Sequence, residues 1–459
     1  RVVLATAELA PIASVGGLAA AAAGLSIELR RQGVDVEILL PDYFGIELAD
    51  ERTIEVDVPA WAGPASIRIG DHPVCGRLHL VTAKGTARPH PYLQPDGEGW
   101  PDNPARFFAF SRAIASYVTA NPPDVLHLND WHTGATLAAL ADPPPTVFSI
   151  HNLAYQGRTG GEWLPRLGPR ASHYEWWGDT NPLTGAVALA DAVVAVSPNY
   201  AREIVTPEGG FGVHEQLANR GDSLVGILNG IDTDVWDPAT DPHIPVHYDA
   251  ASLDDKAHSR RALAERVGFP DDGIPLATVV SRLTHQKGID LLVPILPLLD
   301  QIPMRVAMLG AGDAGLADRL RQAAAASPEW FAFEEGYDEG LSHLMFAGAD
   351  LYLMPSRFEP CGLTQMQAMR YGTIPIVTAV GGLIDTVPDA DFDSKRGRGF
   401  VAGRVDPSDL VAAMFRAVRR TADRRRRRTI QRRGMAVDWS WRGPAAEYVR
   451  LYGSLARTG

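Results

Sequence analysis

The chain has 459 residues, 46% of them hydrophobic, and a formal net charge of −12. That length can bury large cores over two or three domains, and the acidic balance argues against a general nucleic-acid or membrane-surface binder, so an anionic ligand would need locally placed cations. No apolar run is long enough for a transmembrane helix, and the two cysteines, Cys75 and Cys361, are too few for a disulfide framework, which predicts a reducing, cytoplasmic setting.

The opening Arg1–Glu8 reads as a first core strand, without the features of a signal peptide. A turn containing Gly16-Gly17-Leu18 follows, and then an amphipathic helix. Paired glycines between strand and helix let backbone approach a ligand closely, so the pair reads either as a phosphate or sugar loop or as a plain tight turn. The full G-x-G-x-x-G pattern is absent.

Apolar strands are predicted next at 34–40, 125–128, 146–150 and 192–196. Asp130-Trp131-His132 follows the second of these, and His151-Asn152-Leu153-Ala154-Tyr155-Gln156-Gly157 follows the third. A single His at a strand end is usually structural, but an Asp, two His and an Asn at neighbouring strand ends make a candidate site. No zinc-ligand spacing and no G-x-S-x-G elbow accompanies them. Asp232-Thr233-Asp234 has the form of a metal-binding D-x-D, yet its neighbours favour a turn leaving the first domain. The Pro- and Asp-rich tract 236–247 is the expected join.

A second strand series lies at 276–280, 305–309, 351–354 and 373–377. Near-continuous apolar strands alternating with helices imply parallel sheets covered on both faces, hence an α/β fold of two Rossmann-like, doubly wound domains. Two segments of this half carry most of the chemistry. Ser281-Arg282-Leu283-Thr284-His285-Gln286-Lys287-Gly288 places two cations after one strand, and Pro355-Ser356-Arg357-Phe358-Glu359-Pro360-Cys361-Gly362-Leu363-Thr364-Gln365 places a carboxylate and a helix start after another. Cations, a carboxylate and free N–H groups at strand C-termini suit a phosphorylated, polyhydroxylated ligand. Leu309-Gly310-Ala311-Gly312-Asp313 is expected to be a strand-to-helix turn beside a nucleotide pocket. The run from Arg424 to Arg428, with Arg432 and Arg433, reads either as a polyphosphate or nucleic-acid patch or as the exposed face of a late helix, the second being favoured because no aromatics interleave.

Taken together, these motifs resemble the glycogen and starch synthases of the GT-B superfamily. Val196-Ser197-Pro198, Ile227-Leu228-Asn229-Gly230-Ile231-Asp232 and Gly381-Gly382-Leu383-Ile384-Asp385-Thr386 extend the likeness from Arg1 to about Leu455. The resemblance implies two Rossmann-like domains facing a cleft, an acceptor-side domain over 1–240, a nucleotide-donor domain over 241–437, and a helix over 438–459 crossing back to the first domain. It implies retaining glycosyl transfer from a nucleotide-activated sugar to an α-1,4-glucan or maltooligosaccharide, with no metal cofactor and no nucleic-acid or membrane partner. By position, Arg282 and Lys287 would hold the donor diphosphate, with Gly16 and Gly17 at the same ligand. Glu359 would sit beside the transferred ring, Cys361, Gly362, Leu363 and Thr364 would bring N–H groups to ring and phosphate, and Tyr337 would stack near the base. His151 would lie near the anomeric carbon, with Asp130 and Asn152 on the acceptor side.

One departure stands out. Synthases usually read Lys-Thr-Gly-Gly-Leu-Ala-Asp at the first turn, where this chain reads Ser14-Val15-Gly16-Gly17-Leu18-Ala19-Ala20. Losing that lysine removes a charge-assisted contact worth about 1.5–3 kcal/mol. Altered donor chemistry would accommodate the loss, as in a pseudo-glycosyltransferase of acarbose-type assembly that joins an activated valienol-type cyclitol to an amino-sugar maltose through a C–N bond. A catalytically silent glucan-binding relative is the remaining alternative, although retention of Arg282, Lys287, Glu359 and His151 argues against it.

Overall fold

The computed structural model describes residues 1–95 and 97–457. The chain divides into two compact units, Arg1–Gly230 with Trp441–Gly459, and Ile231–Ser440.

The first unit is built on a nine-stranded sheet in the order Leu224–Gly226, Ala192–Ala195, Thr146–Ile150, Val125–Asn129, Val2–Ala5, Val36–Pro41, Gly76–Thr82, Ala65–His72, Ala49–Val56. The first seven strands in that order are mutually parallel, and the last two join antiparallel. Val2–Ala5, Val125–Asn129 and Thr146–Ile150 are buried throughout, as strands covered on both faces must be. The antiparallel edge over 49–82 has no counterpart in the sequence reading. Its signal was the alternation Thr53-Ile54-Glu55-Val56 and Ser66-Ile67-Arg68-Ile69, the period-2 pattern of a half-buried strand pair.

The helix Arg442–Leu455 completes this unit by packing on the helix Gly17–Arg31. Gly24 permits the approach: a Cβ there would overlap the indole of Trp441. Tyr448 and Tyr452 are buried, and the Tyr452 hydroxyl lies 2.7 Å from His127 Nδ1.

The second unit carries a six-stranded, all-parallel sheet in the order Phe331–Glu335, Arg305–Gly310, Leu276–Val280, Leu351–Met354, Ile374–Thr378, Phe400–Ala402. The tract 236–247 belongs here, so the division falls at Gly230/Ile231, ahead of the expected join. Its carboxylates explain why: Asp237 pairs with Arg370, and Asp241 is buried against His343 Nδ1 at 2.8 Å and the Tyr371 hydroxyl. Asp232-Thr233-Asp234 is a turn, in which the Asp232 carboxylate accepts from the backbone N–H groups of Asp234 and Val235.

The arginine run forms the helix Arg424–Met435, N-capped by Asp423. It is more than a solvated face. Arg426 pairs with Asp391, Arg424 and Arg428 share Asp254, and Arg432 and Arg433 donate to the carbonyls of Ala250, Ser394 and Gly397. These bonds tie the helix to two loops of its own unit, one at 250–254 and one at 391–397.

Candidate active site

In an open α/β sheet, ligands gather beyond the strand C-termini at the point where strand order reverses. In the second unit that point lies between Leu276–Val280 and Leu351–Met354, since the chain builds outward from these two strands in opposite directions. The two chemistry-bearing segments are the ones that leave these strands. They also touch. Arg357 N donates to Gln286 O at 2.8 Å, and Gly288, at φ +63°, lies so close to Pro355 that a Cβ there would overlap the Pro355 carbonyl. Arg357 reinforces the junction through Asp290.

This junction sets the charged groups. Lys287 Nζ lies 2.6 Å from Glu359 Oε2, and the same oxygen accepts from Ser356 Oγ at 2.9 Å. Glu359 is only 5% exposed, so its carboxylate is held by two donors in a largely desolvated place. Arg282 is exposed, and among the described residues its guanidinium carries no ion pair. Two cations therefore stand at the switch point in unlike states, one paired and one open.

The turn Cys361-Gly362-Leu363 leads into the helix Thr364–Arg370. Gly362 has φ +73°, and Gln365 Nε2 donates to the carbonyls of Cys361 and Gly362 and to Thr386 Oγ1. Gly382 lets the next turn close on Cys361, because a Cβ at 382 would overlap the Cys361 backbone. With its carbonyls engaged in this way, the turn is fixed from below. Gly310 and Gly312 serve a related purpose: they bring their loop against Ser281 and Leu283, with Leu283 N donating to Ala311 O and Asp313 N to Leu283 O. Tyr337 follows the strand Phe331–Glu335 and is 84% exposed.

In the first unit the order reverses between Val2–Ala5 and Val125–Asn129. Asp130 stands directly beyond, in a backbone conformation of φ 54° and ψ 179° that non-glycine residues rarely adopt. Its Oδ1 accepts from His151 N at 2.8 Å, and burial pushes its carboxyl up to about 7. The His151 ring is anchored through Nε2 to Asn129 Oδ1 at 2.9 Å, and Asn129 in turn donates to the Ala5 carbonyl. Burial lowers the His151 imidazole to about 4, so it is neutral at pH 7. Asn152 Oδ1 accepts from Ala154 N, shaping the turn beyond His151. Asp130, His151 and Asn152 thus form one connected group.

His132 does not join them. Its ring is buried among Trp131, Tyr92 and Phe107, at centroid distances of 4.3, 4.9 and 4.7 Å, and it belongs to the core.

The Gly16-Gly17 turn also differs from a bare phosphate loop. Glu8, buried at the end of the first strand, accepts from Val15 N at 2.9 Å and Gly16 N at 2.8 Å through Oε2, and from the Tyr92 hydroxyl at 2.8 Å through Oε1. An internal carboxylate occupies donors that an anionic ligand would use. Sequence reasoning passed over Glu8; the available signal was a carboxylate at a strand end shortly before a glycine pair. Ser14 and Ala20 both face solvent, so no neighbour has closed over the positions of the missing lysine and carboxylate. Among the described residues no group of three or more His, Cys, Asp or Glu is placed to hold a metal ion, and no helix is long and apolar enough to cross a membrane.

Two Rossmann-like units, a cation–carboxylate set at one switch point and an Asp–His–Asn group at the other define the class of GT-B-fold hexosyltransferases. Residues 1–219 match the family model described as the starch synthase catalytic domain, and residues 261–433 match glycosyl transferases group 1. The chain is 42% identical to a glycogen synthase of Aromatoleum aromaticum, over 98% of this chain and 96% of that protein. It is 41% identical to a glycogen synthase of Acidiphilium cryptum, over 99% of each. The structure of the catalytic domain of starch synthase IV from Arabidopsis thaliana, bound to ADP and acarbose, superposes with a TM-score of 0.89 at 31% identity over 99% of both chains. A sucrose-phosphate synthase from Thermosynechococcus elongatus shares the fold, with a TM-score of 0.65 at 19% identity over 100% of this chain and 99% of that one. The chain belongs to the glycogen and starch synthase family of retaining glycosyltransferases.

Proposed function

We propose that this chain transfers glucose from a nucleotide-diphosphate donor to an α-1,4-glucan or maltooligosaccharide, with retention at the anomeric carbon. The observation that carries the reading is the set at the switch point of the second unit, where open Arg282, paired Lys287 and desolvated Glu359 follow the two central strands. Arg282 and Lys287 neutralise the departing diphosphate. Glu359 takes hydrogen bonds from ring hydroxyls, and Cys361-Gly362-Leu363-Thr364 offers backbone N–H groups to ring and phosphate. Tyr337 stacks near the base. In the first unit Gly16 and Gly17 approach the donor by backbone, His151 serves beside the anomeric carbon, and Asp130 and Asn152 serve the acceptor.

As the anomeric C–O bond to the diphosphate breaks, an oxocarbenium-like centre forms. The acceptor hydroxyl enters from the same face, a new C–O bond forms, and its proton leaves with the diphosphate. No protein nucleophile is needed, so positioning and electrostatics carry the rate. The test is incubation with ADP-glucose or UDP-glucose and maltoheptaose, reading nucleoside diphosphate release and chain length. Release and elongation are expected. Binding of maltoheptaose without release from any sugar or cyclitol donor would overturn the reading in favour of a silent glucan binder.

A second reading rests on Ser14 and Ala20, which leave the first turn without the cation and carboxylate usual in the family. In it, the transferred ring is a valienol-type cyclitol and the acceptor an amino-sugar maltose, joined by a C–N bond. Elongation of maltoheptaose from ADP-glucose would exclude a transferase dedicated to that chemistry.

A further inference from the structure

The hairpin Glu175–Thr180 breaks a rule of turn chemistry. Its strands Glu175–Trp176 and Asp179–Thr180 pair antiparallel, with Asp179 opposite Trp176, so the connecting loop is Trp177-Gly178 alone. Both loop residues have positive φ, +53° and +87°. A two-residue loop with both φ positive is a type I′ turn, whose first position favours Asn, Asp or Gly. A bulky residue there is strained. Folding recovers none of this, because Trp177 is 85% exposed and, among the described residues, its ring stacks on no other ring.

The strained tip is nonetheless held firmly. Glu175 Oε1 accepts from Gly178 N at 2.7 Å, Arg158 pairs with Asp179 at 2.8 Å, and Asp179 also pairs with Gly160 in the strand beyond. Gly161 lets that strand close on the tip, since a Cβ there would overlap the Gly178 carbonyl. An outlier conformation, tightly supported and without internal benefit, points to a ligand.

The hairpin is also linked to the candidate acceptor loop. Asn181 Nδ2 donates to Gln156 Oε1 at 2.8 Å, and Gln156 Nε2 donates to Phe211 O at 2.9 Å. Phe211, at φ +47° and followed by Gly212 at φ +86°, repeats the pattern of an aromatic residue held in the left-handed region. Gln156 therefore joins the base of the hairpin and the Phe211 turn to the His151–Gly157 segment.

We propose that Trp177 is a sugar-stacking platform that binds the acceptor glucan away from the reacting end, with Phe211 as a neighbouring contact. The rim chemistry fits a polyol: Glu175, Asp179 and Arg158 offer charged partners for hydroxyls, while the indole face attracts the C–H-rich face of a pyranose. The inference rests on the glucan acceptor of the proposed function and deepens it.

The test uses the full chain and maltoheptaose. Trp177→Asn places a favoured residue in the turn, so its melting temperature should equal or exceed that of the parent, while the dissociation constant for maltoheptaose rises at least five-fold. In turnover, KM for maltoheptaose should rise by a similar factor with kcat unchanged, and the effect should fade with maltose as acceptor. An unchanged dissociation constant, or a fall in melting temperature that accompanies lost binding, would overturn the platform. If the parent binds maltoheptaose through Trp177 yet transfers to no glucan, the transfer reading fails and the platform stands.

Discussion

Lys287 Nζ donates to the same Glu359 oxygen that receives the Ser356 hydroxyl, so the lysine ammonium is already engaged before any phosphate arrives. In the proposed function a diphosphate must compete with Glu359 for it. Glu359→Gln removes the competing charge, and we expect it to tighten binding of free nucleoside diphosphate several-fold while slowing transfer. Calorimetric titration with ADP and UDP, set beside turnover, checks this. Weaker nucleotide binding in the variant would count against the competition.

Lys287→Ala leaves a desolvated carboxylate with only its serine donor. Because the lysine side chain keeps some solvent access, at 19%, the stability loss should be about 1–3 kcal/mol, below that of breaking a fully buried pair. Turnover should fall by about 100-fold or more, as for removal of a donor to a developing negative charge. The double variant Lys287→Ala with Glu359→Gln should regain most of the melting temperature and none of the activity. A single variant with unchanged turnover would remove Lys287 from the phosphate clamp.

Gly288 sits where backbone from the segments leaving Leu276–Val280 and Leu351–Met354 meets, and its φ of +63° adds a second obstacle to any side chain. Gly288→Ala should destabilise the second unit by about 2–4 kcal/mol through overlap with Pro355 and left-handed strain. Donor binding should weaken with it, because Lys287 and Glu359 are positioned by this junction. Thermal unfolding with and without ADP provides the comparison, and an alanine variant with parental stability would contradict the close approach.

The pH dependence of the first unit follows from buried imidazoles. His127 lies between Tyr452 and Ser149 and is lowered to about 3, while His79 and His151 are lowered to about 4, all mainly by burial. An unfolded histidine titrates near about 6.5. Between these values the unfolded chain binds protons that the folded one does not, so stability is lost as pH falls from about 6.5 toward 4. Removing His127 by His127→Gln should flatten that loss in a series of melting curves.

Asp130 has the opposite sign. Its carboxyl, raised to about 7, keeps a proton in the folded state that the unfolded chain releases near about 3.9, so its stability contribution is present at low pH and lost as pH rises through 7. Asn at this position can still accept from the His151 N–H. Asp130→Asn should therefore raise the melting temperature at pH 8 and lose that advantage near pH 4. A difference independent of pH would show that the carboxyl does not titrate as described.

Strand positions were largely legible because fully buried parallel strands are apolar runs, and Val2–Ala5, Thr146–Ile150, Leu276–Val280 and Leu351–Met354 appear at the expected residues. The edge strands 49–82 were hidden, since a half-buried antiparallel pair mixes polar and apolar side chains. Sequence spacing located Arg282, Lys287 and Glu359 but could not reveal that two of them pair. That depends on Gly288 and Pro355 meeting, a contact between segments far apart in the chain. Glu8 was obscured for a similar reason: its role comes from the path of the turn that returns Val15 and Gly16 to it.

The helix Arg442–Leu455 gives the chain an order of assembly. All of the second unit has been synthesised before the residues that bury Gly24 and the His127 pocket exist, so the first unit is completed only after the second. Until Trp441, Tyr448 and Tyr452 arrive, its first helix and central strands expose apolar surface to the cell.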